Sequence, residues 1–192
     1  MLNIVLFGPP GAGKGTQSEK IIAKYELSHI STGDLFRKHL SEGTELGLLA
    51  KKYMNEGNLV PDSVVIDMVE VKVKENLGVK GFIFDGFPRT VPQAEALDAM
   101  LSKLNLSISG MISLEVETEE LKRRIKERGK TSGRADDQDE EKINNRIKVY
   151  LDETLPVADF YANQGKLKTI NGIGEIEFIF SEISKAIDSF AK

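Results

Sequence analysis

Cysteine and tryptophan are absent from the 192-residue sequence, and histidine occurs only twice. Without cysteine the chain can form no disulfide and can offer no thiolate to a zinc ion. The two histidines, His29 and His39, are too few for a metal centre or a catalytic triad, and we expect both to be structural. Thiol chemistry and thiolate zinc sites are therefore excluded, and any catalysis must come from other residue types.

Long apolar runs and a positive net charge are also missing. No run approaches the ~20 apolar residues of a membrane span, so we expect no membrane association. The formal net charge of −4 disfavours extensive nucleic-acid binding. No basic segment precedes an apolar one at the N-terminus, so we expect no secretory signal and a cytoplasmic location. The length predicts a single domain over residues 1–192, with a monomer as the default expectation.

Arginine is scarce and unevenly distributed. Of the 26 basic residues only seven are arginine, and five of these seven lie within residues 123–146. The planar guanidinium group pairs bidentately with phosphate or carboxylate, which lysine cannot do. The concentration therefore predicts a polyanion site in this region, and chance clustering on a solvated helix is the alternative.

Short apolar segments alternate with segments of helical periodicity along the whole chain. The strand candidates are residues 2–7, 27–30, 82–85, 111–115 and 167–170. The helical candidates are residues 15–25, 32–40, 46–56, 63–76, 92–104, 119–128, 140–162 and 175–190. This alternation predicts an α/β fold with a parallel sheet covered by helices on both faces. Gly57, Gly78 and Gly129 are expected to mark helix ends.

Three segments between these elements carry further expectations. The connection over residues 31–60 holds helical patterns but no strand, which predicts a helical insertion at the carboxyl edge of the sheet. Residues 129–133 predict a flexible loop that could act as a lid hinge. The acidic run 136–141 is interpreted as the solvated start of a helix, where the helix dipole favours carboxylates.

The strongest local signal follows the first strand candidate. Residues 8–16 read GPPGAGKGT and lead into a helical segment. In such a strand–loop–helix unit the glycines let backbone N–H groups converge on a phosphate, and the helix N-terminus adds partial positive charge. Lys14 supplies a full charge for the terminal phosphates of a nucleotide.

The match to the general phosphate-loop pattern departs from it at one position. Gly15 stands where Ser or Thr usually binds Mg²⁺, and the hydroxyl arrives one residue later as Thr16. The metal must then be held by phosphates, water and another carboxylate. Asp85, at the end of the third strand candidate, is the residue we expect to hold Mg²⁺ through water, since Mg²⁺ keeps several waters.

Further polar residues are predicted to face the loop. Thr32 and Arg37 open the helical insertion, and Arg89 follows Asp85 in the segment DGFPR. Arg124 and Arg128 are spaced i, i+4 and so share one helix face. Capping and solvation are the plain alternatives for each of these residues. Together they predict a second anion site opposite the loop, as phosphoryl transfer requires.

At this point the sequence resembles the adenylate kinase family. The resemblance is carried by GPPGAGKGT, ISTGDLFR, FIFDGFPRTVPQAEAL, ERGKTSGRADD and NNRIKVY, and it covers essentially the whole chain. It implies a P-loop kinase fold with a five-stranded parallel sheet in the order 2-3-1-4-5. It also implies the reaction ATP + AMP ⇌ 2 ADP, by direct in-line transfer with Mg²⁺. The implied units are an insertion over 31–60 that binds the nucleoside monophosphate and a short lid over 128–138.

The resemblance also assigns site residues. The ATP side would comprise Gly11, Ala12, Gly13, Lys14, Gly15, Thr16, Arg124, Arg128 and the backbone of Gly174. The AMP side would comprise Thr32, Arg37, Asn58, Leu59, Val60, Gly86, Phe87, Pro88, Arg89, Gln93, Arg134 and Arg146. Lys14, Arg89, Arg128, Arg134 and Arg146 would be the catalytic residues, and Asp85 would stand near the metal.

Two departures from the family pattern are visible. Only five residues separate Arg128 from Arg134, so the lid resembles the short type and we expect no zinc site there. The spacing from Arg134 to Arg146 is one residue longer than in common members, and one residue rotates a helical side chain by ~100°. The extra residue is expected near Asp139, before the helix begins.

Three other functions are consistent with parts of the sequence. A UMP/CMP kinase shares the fold and the short lid, but Gln93 can both donate to N1 and accept from the amino group of adenine, which favours AMP. A non-catalytic nucleotide-binding module would not need arginines around a second anion site. A small-metabolite kinase usually has Ser or Thr where this chain has Gly15.

Overall fold

The computed structural model describes residues 1–190 and contains one parallel sheet. Its strands are β1 (Leu2–Phe7), β2 (Ser28–Ser31), β3 (Gly81–Asp85), β4 (Gly110–Glu115) and β5 (Leu167–Asn171). They lie in the order β2-β3-β1-β4-β5, and every neighbouring pair is parallel. The predicted fold class and strand order are therefore confirmed, and each strand begins and ends within one residue of its predicted bounds.

Helices cover both faces of this sheet. They are α1 (Lys14–Tyr25), α2 (Thr32–Ser41), α3 (Glu45–Met54), α4 (Asp62–Glu75), α5 (Val91–Lys103), α6 (Thr118–Ser132), α7 (Glu140–Val149), α8 (Pro156–Ala162) and α9 (Ile176–Phe190). Within residues 1–190 none of these helices has both the length and the apolar content that a membrane crossing requires.

The alternation of buried side chains along the strands explains why both faces need cover. In β1, Val5 and Phe7 belong to one apolar cluster, whereas Ile4 and Leu6 belong to the other. Successive strand side chains point to opposite faces, so a strand that is apolar throughout must be buried on both sides. The sheet is thus held rigidly between two cores, and its carboxyl edge is free to position a site.

The insertion between β2 and β3 consists of α2 and α3, followed by α4. The Ser31 hydroxyl caps α2 by accepting a hydrogen bond from the Asp34 amide, as its sequence pattern predicts. Thr44 caps α3 in the same way by accepting from the Gly47 amide. These caps let each short helix begin at a defined residue, which places Thr32 directly at the end of β2.

One helix is longer than its sequence pattern predicts. The expectation that Gly129 ends a helix, and that residues 129–133 form a flexible loop, is wrong. Helix α6 continues through Gly129 to Ser132, and the left-handed residue that ends it is Gly133, with φ 64°. Gly129 is needed for packing instead, because a Cβ there would lie 2.6 Å from the carbonyl oxygen of Asp137.

The predicted helix over residues 140–162 is also not continuous. It consists of α7, a π-helical turn at Tyr150–Thr154, and α8. Pro156 has no N–H and would clash with a carbonyl one turn earlier in a regular α-helix. The wider turn, in which the Leu155 amide donates to the Tyr150 carbonyl at 2.7 Å, relieves that clash.

Candidate active site

The loop between β1 and α1 is shaped by glycines in conformations that other residues rarely adopt. Gly11 has φ 84°, and a Cβ there would lie 2.9 Å from the side chain of Ile125. Gly13 has φ 93° and directly precedes the first residue of α1. The backbone can therefore curl tightly at the N-terminus of α1, where helix N–H groups and the helix dipole favour a phosphate.

Among residues 1–190, Lys14 is the only lysine that lines the cavity above this loop. Its Nζ atom donates to the carbonyl oxygens of Gly8 at 2.7 Å and Pro9 at 2.9 Å. The pKa of Lys14 is lowered to about 8, chiefly by burial; Asp85 raises it, and Arg89, Arg146 and Arg128 contribute to lowering it. A buried cation among other cations is stabilised by an anion, which makes this a favourable place for phosphate.

The end of β3 brings a second group of side chains beside the loop. Asp85 is the parallel-sheet partner of Leu6, two residues before the loop begins. The carbonyl oxygen of Gly86 accepts hydrogen bonds from Thr32 Oγ1 and from Arg89 Nε, both at 2.8 Å. The end of β3 thus anchors one side of the Arg89 guanidinium at the same edge of the sheet as Lys14.

The arginines near the lid are held by one buried carboxylate. Arg128 forms a bidentate pair with Asp137, at 2.7 Å and 2.8 Å, and Arg146 NH1 donates to the same carboxylate at 2.7 Å. The Asp137 side chain has no solvent exposure. Burial raises the pKa of the Asp137 carboxyl, but the hydrogen bonds from Arg128 and Arg146 outweigh it and hold the pKa below its ordinary value.

The burial of Asp137 corrects the interpretation of the acidic run 136–141 as the solvated start of a helix. That interpretation holds for Asp139, which is exposed and caps α7 by accepting from the Glu141 and Lys142 amides. It is wrong for Asp137, because residues 135–137 form a short 3-10 helix that turns this carboxylate inward. Arg146 lines the cavity with the longer spacing from Arg134.

Arg134 differs from its neighbours. Its side chain has no carboxylate within ion-pair or hydrogen-bond distance among residues 1–190, although it lines the same cavity. Burial lowers the pKa of Arg134, and the positive charges of Arg37 and Arg128 lower it further. An uncompensated arginine in this position is suited to an incoming anion.

The lysine and the arginines described above line one cavity of about 570 Å³. Six of the seven arginines line it, and Arg123 is the exception, since it lies exposed and pairs with Glu120. Seven cations face four carboxylates across this cavity, in a chain whose net charge is −4. The basic side chains are Lys14, Arg37, Arg89, Arg124, Arg128, Arg134 and Arg146. The cavity thus concentrates positive potential, which attracts polyanions.

The remaining predicted residues fall into three groups. The cavity wall includes the loop and the turn after β3, namely Gly11, Ala12, Gly13, Gly15, Thr16, Asp85, Gly86, Phe87 and Pro88. A smaller side cavity, which shares Asn58 and Leu59 with the main one, is lined by Thr32, Val60 and Gln93. Gly174 lines neither cavity and follows β5, outside the main cluster.

The segment after β5 is connected to the site by two side chains. Arg124 NH1 donates to the Gly172 carbonyl at 3.1 Å, and Gln17 Nε2 donates to the Ile176 carbonyl at 3.1 Å. These bonds hold the backbone around Gly174 against α6 and α1. Gln17 is buried, and sequence reasoning passed over it, although its position directly after Thr16 was an available signal.

Asp62 and Asp137 are further residues that sequence reasoning missed. The Asp62 carboxylate accepts a hydrogen bond from Gln93 Nε2 at 2.8 Å. No periodicity marks either aspartate, because both act through partners far along the chain. His29 Nε2 lies 3.7 Å from Asp85 Oδ2.

The donor set fits a magnesium ion that is bound mainly by other ligands. Within the described part of the chain no group of three or more His, Asp or Glu side chains could hold a metal ion. Asp85, at the end of β3, offers a carboxylate at the sheet edge beside the phosphate loop. Because Mg²⁺ commonly keeps several waters and takes phosphate oxygens, a single carboxylate is chemically sufficient on the protein side.

Comparison with known proteins identifies the family of this chain. The family model described as adenylate kinase matches residues 6–166. The adenylate kinase of Flavobacterium psychrophilum is 52% identical, over 98% of this chain and 100% of its own length. The adenylate kinase of Bacteroides fragilis is 51% identical over the same shares, and that of Porphyromonas gingivalis is 46% identical over 100% of this chain. This chain belongs to the adenylate kinase family.

Proposed function

We propose that this chain transfers the γ-phosphoryl group of MgATP to AMP, giving two molecules of ADP in a reversible reaction. The observation that carries the proposal is the shared cavity, in which the phosphate loop faces six arginines. A site for one nucleotide needs the loop and few further charges. A triphosphate and a monophosphate brought together need compensation of charge on both sides, which this cavity offers.

We propose that the donor nucleotide lies along the phosphate loop. The amides of residues 11–16 and the Lys14 ammonium group would bind its phosphates, and Arg128 would reach them from the opposite wall. Its base would lie between Arg124 and the backbone near Gly174. Arg124 and Gln17 support this placement, because both tether the segment after β5 to the elements that carry the phosphates.

We propose that the acceptor lies under the insertion. Its phosphate would bind Arg37 and Arg89, and its base would enter the side cavity lined by Thr32, Val60 and Gln93. Asn58 and Leu59 line both cavities, as do Gly86 and Arg89, so the acceptor would span the two. The turn formed by Gly86, Phe87 and Pro88 would set the position of Arg89.

Phosphoryl transfer between two nucleotides requires positioning of the reactants and compensation of their charge, and it requires no nucleophile from the protein. Attack by an acceptor phosphate oxygen on the γ-phosphorus spreads negative charge over the transferring group. Arg134 and Arg146 would stabilise that charge from the lid side, and Lys14 and Arg89 from the sheet side. Aligned reactants held by fixed cations account for much of the rate acceleration in such a transfer.

A magnesium ion would be held through water by Asp85. When bound it neutralises part of the charge on the donor phosphates. Residues 31–60 and 128–138 are proposed to act as the monophosphate-binding insertion and the lid, which would exclude water over the cavity. A monomeric state and a cytoplasmic location stay predictions, and light scattering of the purified enzyme checks the first.

A coupled assay of ADP formation tests the proposed function. ATP is supplied with AMP, CMP, UMP or GMP in turn, and AMP is expected to give the highest kcat/KM. Higher activity with CMP or UMP would make the chain a UMP/CMP kinase, and no activity with any monophosphate would leave only nucleotide binding. The family match and the identities above do not favour either alternative.

A further inference from the structure

Gln93 is a polar side chain that lines the side cavity, and it is 1% exposed. Phe36, Val60 and Val65 line the same cavity and offer no hydrogen bonds from their side chains. Any ligand that enters must therefore satisfy Gln93, since an unpaired polar group in a buried site is costly. The orientation of this one amide thus governs which ligand edge can bind.

Two partners of opposite chemistry determine that orientation. Gln93 Nε2 donates to Asp62 Oδ1 at 2.8 Å, and Gln93 Oε1 accepts from the Arg89 backbone amide at 2.8 Å. An ionised carboxylate can only accept and a backbone N–H can only donate. Rotating the amide by 180° would place its oxygen against the carboxylate and its NH₂ against the N–H. Both contacts would then be repulsive.

Asp62 is itself held in place by Thr90. The Thr90 hydroxyl donates to Asp62 Oδ1 at 3.1 Å and accepts from the Gln93 amide at 3.3 Å, as the cap of α5. The start of α4, which carries Asp62, is thereby tied to the start of α5, which carries Gln93. The carboxylate cannot turn away from the glutamine without losing this second bond.

One N–H of Nε2 and one lone pair of Oε1 remain for a ligand. In this order they match adenine, whose N1 accepts and whose amino group donates. A 6-oxopurine such as hypoxanthine has the reverse order, because its N1–H donates and its O6 accepts. Buried groups that meet the wrong partner discriminate strongly between otherwise similar substrates.

We propose that Asp62 is a specificity-determining positioning residue, which holds Gln93 in the orientation that accepts adenine and rejects 6-oxopurines. The proposal rests on the proposed function, since it assigns the side cavity to the base of the acceptor. Asp62 acts through Gln93 and need not touch the substrate. Its carboxylate can only accept hydrogen bonds, and that property is what sets the selectivity.

The decisive variant is Asp62→Asn, which keeps the size of the side chain but adds a donor. An asparagine can turn to suit either orientation of Gln93, so the bias from position 62 is lost and only the Arg89 amide maintains it. The ratio of kcat/KM for AMP to that for inosine monophosphate is expected to fall about tenfold. The KM for AMP should rise, while kcat with AMP and the KM for ATP stay within about twofold.

Asp67→Asn is the matched control, because Asp67 lies exposed on the same helix and its removal changes the net charge equally. Its AMP to inosine monophosphate ratio should equal that of the wild type. Asp62→Glu retains an acceptor-only group and should keep more of the selectivity than Asp62→Asn. Direct titration of both monophosphates into each variant gives the corresponding ratio of dissociation constants without turnover, and a thermal unfolding curve verifies that each variant is folded.

An unchanged ratio in a folded Asp62→Asn protein would overturn the inference, and so would an equal loss in Asp62→Glu and Asp62→Asn. The wild type separates this failure from failure of the proposed function. If the wild type does not phosphorylate AMP, the proposed function fails. If the wild type phosphorylates AMP and the AMP to inosine monophosphate ratio is unchanged by the substitution at position 62, only the role of Asp62 fails.

Discussion

The two sides of the cavity bind anions by different means. On the sheet side, the loop that follows β1 offers backbone N–H groups at a helix N-terminus and the single cation Lys14. On the lid side, the charges are arginine side chains, and Arg128 and Arg146 share the buried carboxylate of Asp137. One side is built from main chain in an unusual conformation, and the other from side chains that hold each other in place.

This difference determines how far each side depends on the rest of the protein. A backbone cradle is set by local conformation, so it needs glycines at defined positions and a helix that follows. A cluster of arginines repels itself, so it needs a counter-charge and a rigid support. The lid side is therefore expected to be more sensitive to substitutions away from the substrate.

The largest effect is expected at the only full charge of the loop. Lys14→Met should lower kcat/KM by roughly 10³-fold in the coupled assay, because a preorganised cation at the transferring phosphate is lost. Lys24→Met, on the exposed side of the same helix, is the control and should be near wild type. Near-normal turnover of Lys14→Met would mean that the backbone N–H groups of the loop bind the phosphates without help from the lysine charge.

The fold should survive that substitution, which the pKa of Lys14 explains. The pKa of Lys14 in the folded protein is about 8, lower than in the unfolded chain, chiefly because the group is buried. Below pH 8 the charged lysine therefore lowers the free energy of unfolding. This unfavourable contribution is fully present at pH 7 and is relieved as the pH rises from 8 towards 10. Thermal unfolding at pH 7 should therefore show no loss of stability in Lys14→Met.

The next largest effect tests the support of the lid side. Asp137→Asn should lower kcat roughly 10²-fold, because Arg128 and Arg146 lose the group that positions them. It should also lower the free energy of unfolding by about 3 kcal/mol, since two partly buried guanidinium groups lose their counter-charge. Steady-state kinetics and urea unfolding measure the two effects.

Asp139→Asn is the control for charge within the same acidic run, and asparagine can still cap α7. It should change both quantities little. If Asp137→Asn behaved like Asp139→Asn, the arginines would not need their shared carboxylate, and the contrast between the two sides of the cavity would be wrong.

A smaller effect is expected where side-chain geometry alone is altered. Arg89→Lys keeps the charge but removes the planar group, one edge of which is bound to the Gly86 carbonyl. The KM for AMP should rise about tenfold, because a bidentate contact with phosphate is reduced to a point charge. The KM for ATP should change less, and wild-type values for both substrates would argue against a bidentate contact.

The smallest effects compare two glycines at the lid. Gly129→Ala should lower the free energy of unfolding by about 2 kcal/mol, because its Cβ meets the Asp137 backbone. Gly133→Ala should cost about 1 kcal/mol, because only the left-handed backbone at φ 64° is strained and no atom lies near the new Cβ. Urea unfolding measures both changes in the free energy of unfolding. If the two losses were equal, or if Gly133→Ala lost more, the packing of Gly129 against Asp137 would not be the reason for a glycine at position 129.

Local patterns predicted much of the fold. The five strands were found from short apolar runs, and Ser31 was found as a cap from its distance to Asp34. The errors came where packing overrides local preference. Gly129 lies inside a helix because the Asp137 backbone packs against it, and residues 150–154 widen into a π turn before Pro156.

The sequence by itself determined the phosphate loop, the order of strands and helices, and the residue types that could bind phosphate. Each of these depends on neighbours within a few positions, or on a periodicity of two or 3.6 residues. Only the tertiary structure decided that Asp137 is buried between Arg128 and Arg146, and that Asp62 orients Gln93. Those pairs join residues that are 9 to 31 positions apart, so packing rather than any local pattern brings them together.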